Sequence, residues 1–415
     1  MIRPNNNLIV QGKNMTNFTK ITLSAVTIAL LSGCGDTTIT QEPSNVTIIG
    51  DTTTTTGDTP SQETGCAAPT KTKFLSGLYD VDTDLTADTL WLLDGLVVMT
   101  DGTTLTIDPC TTIAGMNGTG DNTSYIIIDK NAQIIADGTA EEPIVFTSAD
   151  VALNGEAPAV GQWGGITIIG NAGNEQVKAY EVNTLFAAGG GKDKVGAIVP
   201  GQDLEDSSGV LRHVKIFNSG IKMRDEQEIN GLSFVGVGSG TVVEDITVDN
   251  SDDDGIELWG GTVNLTNITI TRCTDDYFDI DDGFSGRVEN LNITQDELGN
   301  AAIEMSGITA ATFDGFTITQ NGSAKEGGIY FKQDGVGGHF LNGTVTDNNE
   351  AGVLAGAIHS YLDANENNIS FTNVTLEGTS TEARFTDGLD KAGLPDGSAA
   401  DIRAIFIAGT GNTVN

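Results

Sequence analysis

A strand-sized template, apolar-x-x-apolar-x-apolar, recurs along the second half of this chain, and no other feature constrains its fold as tightly. It reads "LRHVKI" from Leu211, "VEDITV" from Val243, "LTNITI" from Leu265, "VENLNI" from Val288, "FDGFTI" from Phe313, "FLNGTV" from Phe340 and, less regularly, "FTNVTL" from Phe371. Successive starts lie 32, 22, 23, 25, 27 and 31 residues apart, so the minimum repeat is about twenty-two residues and the excess is loop. Each copy is dense in β-branched residues and closes on Asn, Asp, Gly or Ser, which is the composition of strands ended by turns. A second strand follows in most repeats: "GIELWGG" from Gly255, "YFDIDDG" from Tyr277, "AIEMSG" from Ala302, "GIYFKQDG" from Gly328 and "GVLAGA" from Gly352. Two or three short strands per repeat, stacked about 4.8 Å apart, are the arithmetic of a solenoid of parallel strands. A β-sandwich would also explain short strands, but not a rung of nearly fixed length. The expected fold is therefore all-β, a right-handed parallel β-helix with rungs of about 22–30 residues. The earlier segments "TLWLLDGLVVMTDGTTLTIDPCTTIAG" and "YIIIDKNAQIIADGTAEEPIVFTS" supply its first rungs.

The repeats resemble the right-handed β-helix proteins of the pectin-lyase-like superfamily. More narrowly, "GQWGGITIIGNAG", "SGVLRHVKIFNSG" and "DDGIELWGGTVNLTNITIT" are similar to a functionally uncharacterised group of secreted bacterial lipoproteins in which WGG-I and DDGIE-GG strands recur. The resemblance covers most of residues 75–345, and it implies a fold rather than an activity.

The N-terminus reads as an address. Lys20 precedes an apolar run over residues 21–31, too short to span a bilayer but of the length of a secretory h-region, and Met15 makes a more ordinary start than Met1. The run ends in "LSGC", which resembles the bacterial lipobox and makes Cys34 the expected lipidation site. Residues 1–33 are then the signal peptide, residues 34–70 a Thr/Gly/Asp-rich flexible tether and residues 71–415 the β-helix. This places the protein in the bacterial cell envelope, held by a lipid in the outer membrane or at the cell surface. In an exported chain Cys66 and Cys110 are candidates for a disulfide, leaving Cys273 in "ITRCTDD" as a buried free thiol.

Charge narrows the partners. With 57 acidic and 20 basic side chains the formal net charge is −37, and no basic face is available for nucleic acid. The stretches "FAAGGGKDKVGAIVPG" and "VGVGSG" lack the helix and the Gly-Lys-Ser/Thr ending of a phosphate loop, which excludes a nucleotide by that route. The first is better read as a long excursion from a rung, after Tyr180.

Aligning the second strands puts Glu257, Asp279, Glu304 and Tyr330 in one column, each between apolar neighbours that point into the coil. Three carboxylates therefore stack on consecutive rungs. At the preceding turn Asp253 and Asp254 align with Asp275 and Asp276, while Asp281 and Asp282 close a strand. Like charges so close raise one another's pKa unless a cation compensates, and Ca²⁺ takes six to eight oxygens. The expected metal set is Asp253, Asp254, Asp275, Asp276, Asp279 and Glu257, against the alternative of a solvated acidic face. Trp259 shares the outward phase of Glu257 and with Tyr330 is a candidate for stacking on a sugar, whereas Trp163 reads as packing.

Catalysis stays open in the residues. Carboxylates about 5 Å apart suit a retaining glycosidase, and the related β-helix enzymes imply either paired aspartates or Ca²⁺ with a basic residue. Yet there is no Gly-His-Gly and no Arg-Ile-Lys, and Arg272 and Arg287 read as local ion-pair partners. His213 and His339 fall within or beside first strands as packed or rim residues, and neither they nor His359 has metal spacing. The sequence favours an anchored, calcium-loaded β-helix that binds an acidic or neutral glycan, with a Ca²⁺-dependent polyuronate lyase or a two-carboxylate hydrolase as the alternative.

Overall fold

The computed structural model describes residues 40–42, 45–48, 65–173, 203–224, 227–321, 326–332, 335–348, 357–360, 368–378, 385–387 and 397–415. They form a right-handed parallel β-helix in which each rung supplies three strands, one to each of three parallel sheets. Sheet I climbs from Thr83–Leu85 through residues 242–244 and 264–266 to Ile369–Thr372. Sheet II climbs from residues 71–75 through 246–251 and 268–273 to Thr413–Val414. Sheet III climbs from residues 77–79 through Ile166–Ile169, Ile256–Trp259, Phe278–Asp281, Ile303–Met305 and Ile329–Phe331 to Phe385–Asp387.

The template of the sequence is the sheet I to sheet II crossing. Its central position bends the chain through the left-handed region in seven rungs, at His213, Asp245, Asn267, Asn290, Gly315, Asn342 and Asn373, with φ between 49° and 73°. Asn, Asp and Gly tolerate that region best, which is why the template carries them between its two apolar halves. The bend side chains also ladder: Asn267 Nδ2 donates to Asp245 Oδ1, and Asn290 Nδ2 to Asn267 Oδ1, both at 3.0 Å. Gly315 has no amide to offer, so Asn342 Nδ2 reaches Asp314 Oδ1 instead, at 2.7 Å. His213 is thus a bend residue, with Nε2 3.6 Å from Asp245 Oδ2.

Inward positions make one continuous core, because in register the same apolar column repeats at every rung. Toward the C-terminal end it becomes a file of rings: Phe313 and Phe340 stack at 5.1 Å between centroids, Phe340 and Phe371 at 5.2 Å, and Phe371 meets Phe406 at 5.2 Å. Phe406 comes from a helix, Ser398–Ala408, that a strand-only reading did not anticipate. Trp163 is 1% exposed, donates Nε1–H to the Phe217 carbonyl and lies parallel to Phe146, which is the packing role expected of it.

Cys66 and Cys110 are joined by a disulfide with Cα atoms 5.3 Å apart, and Cys273 is a buried free thiol. The first long strand begins at Lys71, but the segment read as tether contains two short strands, Thr40–Glu42 and Asn45–Ile48, the second pairing antiparallel with residues 72–73. Backbone pairing there reflects a Thr- and Val-containing stretch meeting an open strand edge. Residues 352–356 of "GVLAGA" and the excursion after Tyr180 lie outside the described residues, as do residues 1–39 with Cys34. The strand that pairs with Ile329–Phe331 is Ile358–Ser360, six residues beyond the expected "GVLAGA" start. Among the described residues no helix is long and apolar enough to cross a membrane.

Candidate metal centre

The acidic column forms as the alignment requires. Glu257 pairs in register with Asp279, Asp279 with Glu304 and Glu304 with Tyr330, while Ser233 and Thr167 continue the column below. The apolar neighbours Ile256, Leu258, Phe278, Ile280, Ile303 and Met305 are all fully buried in the coil. What differs from expectation is the environment of the acids. They point away from the coil but not into water: Glu257 and Asp279 are 7% exposed and Glu304 1%.

Part of the cover is a hairpin that the repeat pattern does not reveal. Ile221–Arg224 and Gln227–Ile229 pair antiparallel, and Ile221, Met223 and Ile229 pack on the outward Val98, Tyr125, Ile127, Ile169, Val235 and Trp259 of sheet III. The hairpin leads into Asn230, which is 2% exposed and donates from Nδ2 to Glu257 Oε2. Trp259 therefore has the outward phase assigned to it but is 6% exposed, its ring occupied by the apolar cluster rather than presented as a platform. Tyr330 is likewise covered, at 4%. Neither ring is offered to a sugar in this conformation, because outward apolar side chains on a sheet are themselves buried when another layer lies over them.

The turn preceding the strand adds a second tier. Asp254 Oδ1 accepts the Asp276 backbone N–H at 2.8 Å, and Asp276 Oδ1 accepts that of Ala301 at 2.5 Å, so each carboxylate plugs the gap to the rung above. Gly255 sits where no side chain fits, since a Cβ would come 2.5 Å from Ile270 Cγ2 and 2.7 Å from the Tyr277 carbonyl oxygen. That is the physical content of the D-G-I-E spacing: the aspartate bridges rungs, the glycine permits contact and the glutamate faces out.

Three overlapping groups result, each with one carboxylate oxygen per residue within 4.8 Å of the others: Asp253, Asp254 and Asp275; Asp254, Glu257 and Asp279; Asp276, Asp279 and Glu304. All six residues of the expected metal set are brought together, and Glu304, placed in the column but not in that set, joins the third group. Burial pushes the carboxyls of Asp253, Asp254, Asp276 and Asp279 well above the usual range, and their acidic neighbours push further. Asp279 Oδ1 and Glu304 Oε2 are buried without any hydrogen-bond donor. Such an orphan costs about 1–3 kcal/mol, more for a charged group.

Lys332 donates to Glu304 Oε1 at one end of the ladder. Burial by itself would depress this amine, but Glu304, Asp279 and Asp276 outweigh that and hold it protonated. Burial raises Glu304 as well, although Lys332 pulls the other way. Lys332 was legible in principle, standing two residues beyond Tyr330 in a chain with 20 basic residues. Arg272 and Arg287 are ion-pair partners as expected, but of acids outside the ladder: Arg272 binds Asp249, and Arg287 binds Glu289 and Asp314. His339 Nδ1 lies 2.9 Å from Ser370 Oγ on sheet I, and His359 follows Tyr330 in the backbone register of sheet III.

Divalent-cation chemistry fits this donor set. Hard carboxylate oxygens converge from adjacent rungs, two of them orphaned, and among the described residues only Lys332 contributes a cation to the third group.

Comparison with known proteins agrees with the architecture. A family model described as a pectate-lyase like beta helix domain matches residues 77–414. No curated protein matches significantly. Among solved structures, the catalytic domain of a GH87 alpha-1,3-glucanase is 13% identical, covering 73% of this chain and 52% of that one, with a TM-score of 0.39. This chain thus spans about half the length of that domain. An alginate lyase from Paenibacillus is 15% identical (66% and 90% covered, TM-score 0.28), and PfbA, a surface adhesin of Streptococcus pneumoniae, is 11% identical (72% of each chain, TM-score 0.23). Likenesses this distant assign no activity.

Proposed function

The chain belongs to the pectate-lyase-like β-helix family, and from that premise we propose that it is a Ca²⁺-loaded β-helix that binds carbohydrate at the bacterial cell envelope, anchored through Cys34. The observation that carries the reading is the pair of orphaned buried oxygens, Asp279 Oδ1 and Glu304 Oε2, inside a ladder of carboxylates that burial drives toward protonation. Ca²⁺ would be held by Asp254, Glu257 and Asp279 or by Asp276, Asp279 and Glu304, and in the third group by Asp253, Asp254 and the half-buried Asp275. When bound, the ion supplies a positive centre to which sugar hydroxyls or a uronate carboxylate can coordinate. Glycan contact then falls to the ion and to the half-buried Asp275 beside it. Trp259 and Tyr330 join it only if their cover moves.

The binding reading is preferred over a lyase because the basic group on the ladder, Lys332, is held protonated and is an ion-pair partner rather than a proton acceptor. A two-carboxylate hydrolase is the second reading, supported by the raised carboxyls standing within 4.8 Å of one another. Calorimetric titration of Ca²⁺ into chelator-treated protein tests the first: saturable binding at micromolar or tighter supports it, and heat no greater than that of buffer overturns it. Release of reducing ends from a polysaccharide panel, lost in Asp279→Asn, would favour the hydrolase.

A further inference from the structure

A different surface, the outer face of sheet II, has a composition the rest of this acidic chain does not share. The strands Val242–Ser251, Asn264–Cys273, Arg287–Gln295, Ala311–Gln320 and Gly338–Asp347 each cross from sheet I to sheet II at the left-handed bend. Before the bend an outward register column reads Glu244, Thr266, Glu289, Asp314, Leu341. After it, the two outward columns read Thr247, Thr269, Asn292, Thr317, Thr344 and Asp249, Thr271, Thr294, Thr319, Thr346. From Thr269 to Thr346 the sheet II columns hold no charge and no large apolar group. Strand preference alone does not explain this, since it acts equally on both halves of the same strands.

At its N-terminal end this face is hollowed into a groove of about 240 Å³. Thr139, Ala140 and Pro143 wall it, His213 and Lys215 stand at that end, and Thr247, Thr269, Asn267 and Asn292 line it further along. None of these residues belongs to the metal centre. Hydroxyls and carboxamides that both donate and accept recur along the axis at about 4.8 Å, the strand spacing.

We propose that this groove and the hydroxyl columns beyond it form a second carbohydrate site, one that takes a neutral polysaccharide chain lying along the helix axis without a cation. A neutral chain presents hydroxyls at every sugar, matching a line of repeated donors and acceptors. Lys215 offers an anionic glycan one cation at the groove's N-terminal end, but Asp245 in the groove wall, Asp249 in the adjoining column and the net charge of −37 oppose it. The site does not rest on the calcium reading, and chelated protein separates the two.

Affinity electrophoresis in EDTA, through gels containing dextran, hydroxyethylcellulose, xyloglucan or laminarin, tests it. Wild-type protein is expected to be retarded by at least one of the four. The double variant Thr247→Val with Thr269→Val is expected to lose at least tenfold in apparent association constant while keeping its melting temperature. No retardation in any gel, or equal retardation of the double variant, overturns the site. Inhibition of ice recrystallisation without glycan retardation also overturns it and assigns the array to ordered water.

Discussion

Two outward-facing columns of the same solenoid have opposite fates. On sheet III the outward residues are Glu257, Asp279 and Glu304, and all three are buried under other parts of the chain. On sheet II, from Thr269 to Thr346, the outward residues are Thr and Asn, and they stay partly or fully exposed. A β-helix presents equivalent sites at every rung, so what separates the columns is the layer above them rather than the strand beneath. Charge placed under a cover demands a counter-ion or a proton, whereas hydroxyls left in water demand nothing.

The largest expected effect breaks the covered column. In chelator, Asp279→Asn is expected to raise the unfolding free energy by about 2 kcal/mol, because a buried like-charged carboxylate disappears. The same substitution is expected to abolish stabilisation by added Ca²⁺. Denaturant titration with and without Ca²⁺ reads both, and a destabilised chelated variant contradicts the account.

Next is Lys332, the cation that pairs with the ladder. Lys332→Met leaves Glu304 buried beside Asp276 and Asp279, at an expected loss of about 2 kcal/mol, below the 3–5 of fully buried pairs. The reduction follows from the 43% exposure of the Lys332 side chain. Calorimetric melting at pH 7 checks it.

The ladder is also expected to set the pH response. Asp253, Asp254, Asp276 and Asp279 titrate higher in the folded protein than in the unfolded chain, so the folded state holds more protons above about pH 4. Their contribution to stability is complete below that pH and falls as pH rises through the raised values. Chelated protein should melt higher at pH 5 than at pH 8, and saturating Ca²⁺ should narrow the gap. An unchanged gap would remove the ion from the ladder.

The smallest effect belongs to the open column. Thr294→Val and Thr317→Val are expected to shift stability by no more than about 0.5 kcal/mol, since both side chains are exposed. A loss of several times that would show that the hydroxyls hold the sheet together.

The register of sheet III was legible because a period-two strand between fixed apolar neighbours leaves one alignment. Glu257, Asp279, Glu304 and Tyr330 fall in one column on paper and in space. The disulfide pair and the local ion-pair roles of Arg272 and Arg287 were legible too, from cysteine number and from neighbouring charge. Exposure was not. Trp259 has the phase of a surface ring, but the Ile221–Ile229 segment that covers it belongs to another rung and shows no repeat. The same holds for Asn230 and Glu257, 27 residues apart, and for Lys332 and Glu304, 28 apart, whose contacts depend on loops whose lengths vary from rung to rung.

The sequence by itself determined the solenoid and the alignment of the carboxylates, because the strand template and its period-two alternation act locally and repeat. Only the tertiary structure decided that the carboxylates lie under cover with orphaned oxygens while the threonines face water, because burial is set by which non-repeating excursion folds over which face.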